Sequence, residues 1–206
     1  MASRLIPEIE TERLLLRGPL PGDVDAWAAI ISDPDVQQYL PQFRSPPPIH
    51  ERAERGLNAI RTGWEQTPLT GISWLVALKD GGRLIGRLSA APNSAGKMER
   101  SADPEFAYIY GQAYWGRGYA TEAARAAIRY SFDHFNWPRV VAATLPGNAA
   151  SQRVLGRLGF IAEGDVDYYE LSGAEETIMM VDPIVSFFSL ARERFDPGDA
   201  VYRVRG

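Results

Sequence analysis

A glycine-containing turn, followed at once by a long amphipathic helical pattern, is the feature that most constrains this chain. The turn is Trp115-Gly116-Arg117-Gly118, and the helical pattern runs through residues 119–135. Glycine permits tight turns, and the first amides of a helix have no partner inside the helix, so such a junction can bind a phosphate group. An ordinary strand-to-helix connection would account for these residues equally well.

The two best-known phosphate-binding patterns do not fit this turn. A P-loop needs a Gly-x-x-x-x-Gly-Lys-Ser/Thr run, which the sequence lacks. A dinucleotide fingerprint needs a third glycine, but Thr121 follows Gly116 and Gly118 in that place. A phosphate site at this turn would therefore be of a different kind.

Periodicity along the chain predicts an α/β (α+β) fold with a mixed sheet covered by helices. Strands are predicted at residues 11–17, 72–78, 83–89, 105–111, 140–145, 160–163 and 177–181. Helices are predicted at residues 23–31, 51–64, 119–135 and 149–158. The apolar spacing of residues 184–195 predicts a further, C-terminal helix. We therefore divide the chain into a domain at 1–182 and an extension at 183–206, packed on the same domain or on a second subunit.

Composition excludes several classes of function. Hydrophobic residues make up 45% of the chain, enough for a sizeable core, and the net charge of -4 argues against nucleic-acid binding. With no cysteine and two histidines, disulfides, a cysteine nucleophile and a multi-histidine metal site are not expected. No apolar run approaches the roughly 20 residues of a membrane span, and no secretory signal is seen, so we expect a cytoplasmic protein.

A second segment carries chemistry only in combination with the first. Asn148 can cap a helix, Ser151 falls in its first turn, and Gly159-Phe160 follows its end. Helix capping alone would explain these residues.

Taken together with Thr11-Glu12-Arg13-Leu14-Leu15-Leu16-Arg17, the two segments resemble the GNAT superfamily of acetyltransferases, and within it the branch of the ribosomal-protein N-terminal acetyltransferases. The superfamily's cofactor loop reads Gln/Arg-x-x-Gly-x-Gly/Ala, and Trp115 stands here in the first position, as it commonly does in that branch. The resemblance extends from about residue 10 to residue 182.

The resemblance implies a GNAT fold, with a splayed sheet of about six to seven strands, about four helices and the C-terminal helical extension. Acetyl-CoA would bind in the split, and no metal would be needed. The residues implied to bind it are Tyr108, Ile109, Tyr110, Trp115, Gly116, Arg117, Gly118, Tyr119, Ala120, Thr121, Asn148 and Ser151.

The resemblance also implies two catalytic candidates. Glu105 would be the general base that deprotonates the acceptor amine, unless a chain of waters removes the proton. Many relatives use a tyrosine to protonate the departing thiolate, but Leu155 occupies that place here, so the role passes to Ser151 or stays vacant.

The sequence thus predicts an N-acetyltransferase that moves an acetyl group from acetyl-CoA to a primary amine. The acceptor would be a protein N-terminal amine or a small-molecule amine, and the protein would be a monomer or a homodimer. The alternative is a non-catalytic acetyl-CoA-binding regulatory module.

Overall fold

A single mixed sheet organises the chain in the computed structural model, which describes residues 7–40, 48–65, 71–92, 103–167, 184–198 and 202–205. Within these residues the strands are β1 (Glu8–Glu10), β2 (Leu14–Arg17), β3 (Ile72–Leu78), β4 (Leu84–Pro92), β5 (Pro104–Tyr110), β6 (Arg139–Thr144), β7 (Ile161–Asp167), β8 (Ile184–Ala191) and β9 (Arg203–Arg205). The helices are α1 (Asp23–Ser32), α2 (Pro34–Gln37), α3 (Ile49–Glu65), α4 (Tyr119–Phe135) and α5 (Ala149–Arg157).

The strand order is β7-β8-β6-β5-β4-β3-β2-β1-β9, and β5 and β6 form the parallel pair. All other described neighbours are antiparallel. The described part thus has nine strands, more than the six to seven predicted, because β1, β9 and part of the C-terminal segment add to the sheet. The predicted strand at residues 177–181 lies outside the described residues.

Helices cover both faces of the sheet. Trp74 of β3 makes an edge-to-face contact with Tyr130 of α4, with ring centroids 5.7 Å apart, so α4 packs on the face that carries Trp74. On the opposite face, a Cβ built on Gly111 would lie 3.4 Å from Ile30 of α1. The helix α3 packs against α1. No helix in the described ranges is long and apolar enough to cross a membrane.

The predicted C-terminal helix over residues 184–195 is wrong. Residues Ile184–Ala191 form β8, which is hydrogen-bonded to β6 on one side and to β7 on the other. Val185 and Phe187 pack in one apolar cluster, while Phe188 and Leu190 belong to the main core. A strand buried on both faces does not alternate apolar and polar residues, so its pattern can mimic a helix.

The described part of the extension therefore belongs to the same sheet as the rest of the chain. The boundary at residue 182, which lies outside the described residues, stays a prediction.

Candidate active site

A cleft opens where β5 and β6 diverge. The two strands share one ladder position, Glu105 opposite Val141, and beyond it their backbones separate toward Tyr110 and Thr144. The resulting cleft has a volume of about 340 Å³. Its walls come from β5 (residues 106–110), β6 (142–144), α2 and the residues after it, the glycine turn with the start of α4, and α5. Strand backbone that faces a split rather than a neighbour is free to bind a ligand.

The glycine turn forms one end of this cleft. Gly116 and Gly118 have φ angles of 73° and 81°, a left-handed backbone that residues with a side chain rarely adopt. Gly118 is the N-cap of α4, and no side chain caps this helix in the described structure. The amides of Tyr119, Ala120 and Thr121 therefore sit at the positive end of the helix dipole without an intrahelical partner. This geometry is suited to an anion such as a pyrophosphate.

The side chain of Arg13 links the glycine turn to the helix α4 through hydrogen bonds. Its Nη1 donates to the carbonyl oxygen of Arg117 over 3.0 Å, and its Nε donates to Glu122 of α4 over 2.6 Å. Its guanidinium also lies 4.6 Å from the ring centroid of Tyr119. Glu122 additionally accepts hydrogen bonds from the Thr11 hydroxyl and from the Arg13 amide. The sequence interpretation missed this network, although both partners lie in segments that carry the family resemblance.

Trp115 closes the same end of the cleft. Its indole Nε1 donates to the carbonyl oxygen of Tyr110 over 2.8 Å, which ties the turn to the last residue of β5. A glutamine or arginine side chain could not reproduce this rigid contact in the same way, since the indole presents one fixed donor. Trp115 at the first loop position therefore has a structural role, since it fixes the turn to β5.

Two hydroxyl groups meet inside the cleft. The hydroxyl of Tyr108 lies 2.9 Å from Oγ of Ser151, and Asn148 caps α5 by accepting from the Ser151 amide over 3.0 Å. Burial raises the pKa of Tyr108 to about 12, although its hydrogen bond with Ser151 works in the opposite direction. Tyr108 therefore keeps its proton at neutral pH and can act as a donor. The sequence interpretation placed Tyr108 among the cofactor-binding residues and gave its hydroxyl no role.

Another tyrosine, Tyr110, contributes to the cleft wall but not through its hydroxyl. Tyr110 lines the cleft and is 6% exposed, and its hydroxyl is buried and makes no hydrogen bond within the described structure. Because the hydroxyl is buried rather than open to the cleft, it is not a contact for a ligand in the cleft. The free strand backbone and the uncapped helix are therefore the features that fit a nucleotide cofactor with a pantetheine arm.

Glu105 lies beside the cleft rather than in its wall. It is at the closed end of the split, six residues before Gly111, and does not line the cleft. Ala107, the next residue on the same face of β5, does line it, about 7 Å further along the strand. Burial raises the pKa of Glu105, which would make its carboxylate a stronger base. The predicted cofactor residues thus line one cleft, except Arg117, whose carbonyl oxygen instead accepts from Arg13. Glu105 would need an intervening water to act in the cleft.

Comparison with known proteins agrees with this architecture. Residues 13–161 match the acetyltransferase (GNAT) domain, so the chain belongs to the GNAT family and is an acetyltransferase. The uncharacterized N-acetyltransferase YnaD of Bacillus subtilis is 30% identical over 159 residues, which cover 76% of this chain and 84% of YnaD.

Two solved structures show the same fold. A GNAT-family acetyltransferase from Bacillus anthracis superposes with a TM-score of 0.68 at 24% identity, covering 90% of this chain and 99% of that one. RimJ of Mycobacterium smegmatis, in complex with CoA-disulfide, superposes with a TM-score of 0.69 at 19% identity, covering 92% of this chain and 91% of RimJ.

Proposed function

We propose that this acetyltransferase moves the acetyl group of acetyl-CoA to a primary amine, on a protein N-terminus or on a small molecule. The observation that carries the proposal is the split between β5 and β6, which ends at the uncapped start of α4. The CoA-disulfide in the complex of the structurally similar RimJ supports CoA as the ligand class. We also propose the branch of the ribosomal-protein N-terminal acetyltransferases, on the loop beginning at Trp115, and a cytoplasmic location, which suits a chain without cysteine.

Acetyl-CoA would supply the acetyl group as an activated thioester. The amides of residues 119–121 and the N-cap region bind the anionic end, because the helix dipole favours negative charge there. Asn148, which lines the cleft and caps α5 through its oxygen, keeps its amide nitrogen free to donate to a bound ligand. These groups orient the cosubstrate but take no part in bond making.

Transfer makes a bond from the amine nitrogen to the acetyl carbon and breaks the carbon–sulfur bond. An acceptor that arrives as an ammonium must lose two protons, one before it attacks and one as the amide forms, and the departing sulfur must gain one. We assign the proton that the sulfur gains to the Tyr108–Ser151 pair, since Tyr108 is protonated at neutral pH and Ser151 can relay a proton through its hydroxyl. Glu105 is the proposed base, acting through a water, and an amide of Tyr108 or Ile109 is the proposed donor to the oxyanion.

A turnover assay tests the proposal. The protein is mixed with acetyl-CoA and a panel of small amines and N-terminal peptides, and both free thiol and acetylated product are measured. We expect thiol release and product formation in equal amounts with at least one class of amine. Binding of acetyl-CoA without turnover across the panel would instead support a regulatory module.

A further inference from the structure

One row of side chains crosses four strands on the face of the sheet that carries Ile109. Arg17 of β2 lies opposite Leu75 of β3, Leu75 lies opposite Arg87 of β4, and Arg87 lies opposite Ile109 of β5. Residues directly opposite each other in a ladder point to the same face, so all four share it. The row contains two arginines, Arg17 and Arg87, which lie on the same face of the sheet and whose surroundings can be compared directly.

The first arginine shows how this fold satisfies a buried guanidinium. Arg17 donates from Nη1 and Nη2 to the two carboxylate oxygens of Asp23, over 2.7 and 2.9 Å, and both side chains are 8% exposed. Burial alone would raise the pKa of Asp23, but the hydrogen bonds from Arg17 and from the Leu20 amide, with the charge of Arg17, hold it below its usual value. Arg17 and Asp23 therefore form an ion pair within the protein, and Arg17 needs no further counter-ion.

The second arginine has no such partner in the described part of the chain. Arg87 is partly buried, and burial alone lowers the pKa of its guanidinium. It makes no hydrogen bond or ion pair with any residue that the structure describes. Glu105, the nearest carboxylate in register on the adjacent strand, lies four ladder positions away and makes no ion pair with it. A guanidinium that is partly withdrawn from water without a counter-ion is costly, so it is suited to pairing with the anion of a ligand.

The position of Arg87 relates this cation to the active site. Ile109, directly opposite on β5, lines the cleft, and paired residues of adjacent strands have Cα atoms about 5 Å apart. Ala107, also on this face, lines the cleft and is exposed. The helix α1 covers the same face at its Gly111 end. Arg87 itself does not line the cleft, and it lies one strand away from Ile109, which does.

We propose that Arg87 binds the carboxylate of the acceptor, and that the acceptor is a small amine bearing a carboxylate, such as an amino acid. The inference rests on the proposed acetyl transfer and narrows its acceptor. A guanidinium offers a planar pair of donors that matches a carboxylate, which a point-like ammonium cannot reproduce. The acceptor carboxylate would be the counter-ion of Arg87, as Asp23 is the counter-ion of Arg17.

The test compares amino acids with the corresponding amino-acid amides, which lack the carboxylate charge, as acceptors for the wild type and for Arg87→Gln. We expect kcat/KM for the amino acid to fall about 10- to 150-fold in Arg87→Gln, the loss typical of a hydrogen-bonded charge, while the amide changes little. The selectivity ratio is kcat/KM for the amino acid divided by kcat/KM for its amide. The amines of the two acceptors differ in pKa, but the effect of that difference cancels when the selectivity ratio of the variant is divided by that of the wild type. Arg87→Lys should restore part of the selectivity.

Arg83→Gln is the matched control, because Arg83 is an exposed arginine just before the same strand. It should leave the selectivity ratio unchanged. Thermal unfolding with and without acetyl-CoA shows whether each variant is folded and binds the cosubstrate. An equal loss for both acceptors in a folded Arg87→Gln would mean a structural role and would overturn the inference. A wild type that acetylates only peptides, or that shows no preference for the carboxylate, would also overturn it, whereas no turnover with any amine would refute the proposed function itself.

Discussion

Replacing Gly118 with valine tests whether the left-handed turn creates the cofactor site. Gly118 has φ of 81°, and a non-glycine residue in this region costs about 1–2 kcal/mol, with a β-branched one at the upper end. A Cβ there would lie 3.4 Å from Nη2 of Arg13, the side chain that also donates to Arg117. The side chain therefore disturbs the support behind the turn, and the amides of residues 119–121 should lose their common orientation.

We expect Gly118→Val to lower the free energy of unfolding by about 1–3 kcal/mol. Acetyl-CoA at a hundredfold excess over Kd should stabilise the wild type by about 2.7 kcal/mol and the variant by far less. Denaturant unfolding with and without acetyl-CoA measures both quantities. Gly156→Val in α5 is the control, because Gly156 has no positive φ and no atom within 4 Å of a built Cβ. A Gly118→Val protein with the full acetyl-CoA response would refute the phosphate assignment.

Two further predictions concern proton transfer. Tyr108→Phe removes the hydroxyl that contacts Ser151, so kcat should fall by about 10²–10⁴-fold while acetyl-CoA affinity stays within a few-fold. Steady-state kinetics and binding measurements check both values, and an unchanged kcat would contradict the assignment. Glu105→Gln should lower kcat by a similar factor near neutral pH, and the loss should shrink at high pH, where more of the amine is already neutral. A pH series with a loss below threefold throughout would transfer the role to a water chain.

The turn and the helix cap of the proposed cofactor site could be predicted from the sequence because each depends on neighbouring residues. The turn around Gly118 and the cap at Asn148 are local features, and each lies within one short segment whose backbone chemistry is fixed by residue type. The same locality made the helix α4 and the strand–turn–strand unit of β3 and β4 predictable. Boundaries shifted by a few residues, as is usual where the ends of elements depend on packing.

The remaining features depend on contacts between distant segments. Arg13 and Glu122 are separated by 109 residues, and only the folded sheet brings them together. Arg87 looks like an ordinary strand residue in the sequence, because what distinguishes it is that no residue described in the folded structure is its counter-ion. The strand β8 was misassigned because burial on both faces removed the alternation on which strand prediction depends.

The placement of β8 has a consequence for the order in which the sheet can form. The strand β6 forms one wall of the split, and its antiparallel partner is β8, from which it is separated in the sequence by α5 and β7. The strand β1 likewise pairs with β9, which lies far from it in the sequence. Pairings between such distant segments form slowly, and an unpaired strand edge can associate with other chains. We therefore expect the cleft to be completed late in folding, after β8 has paired with β6, and we expect refolding at high protein concentration to lose material to aggregation during that interval.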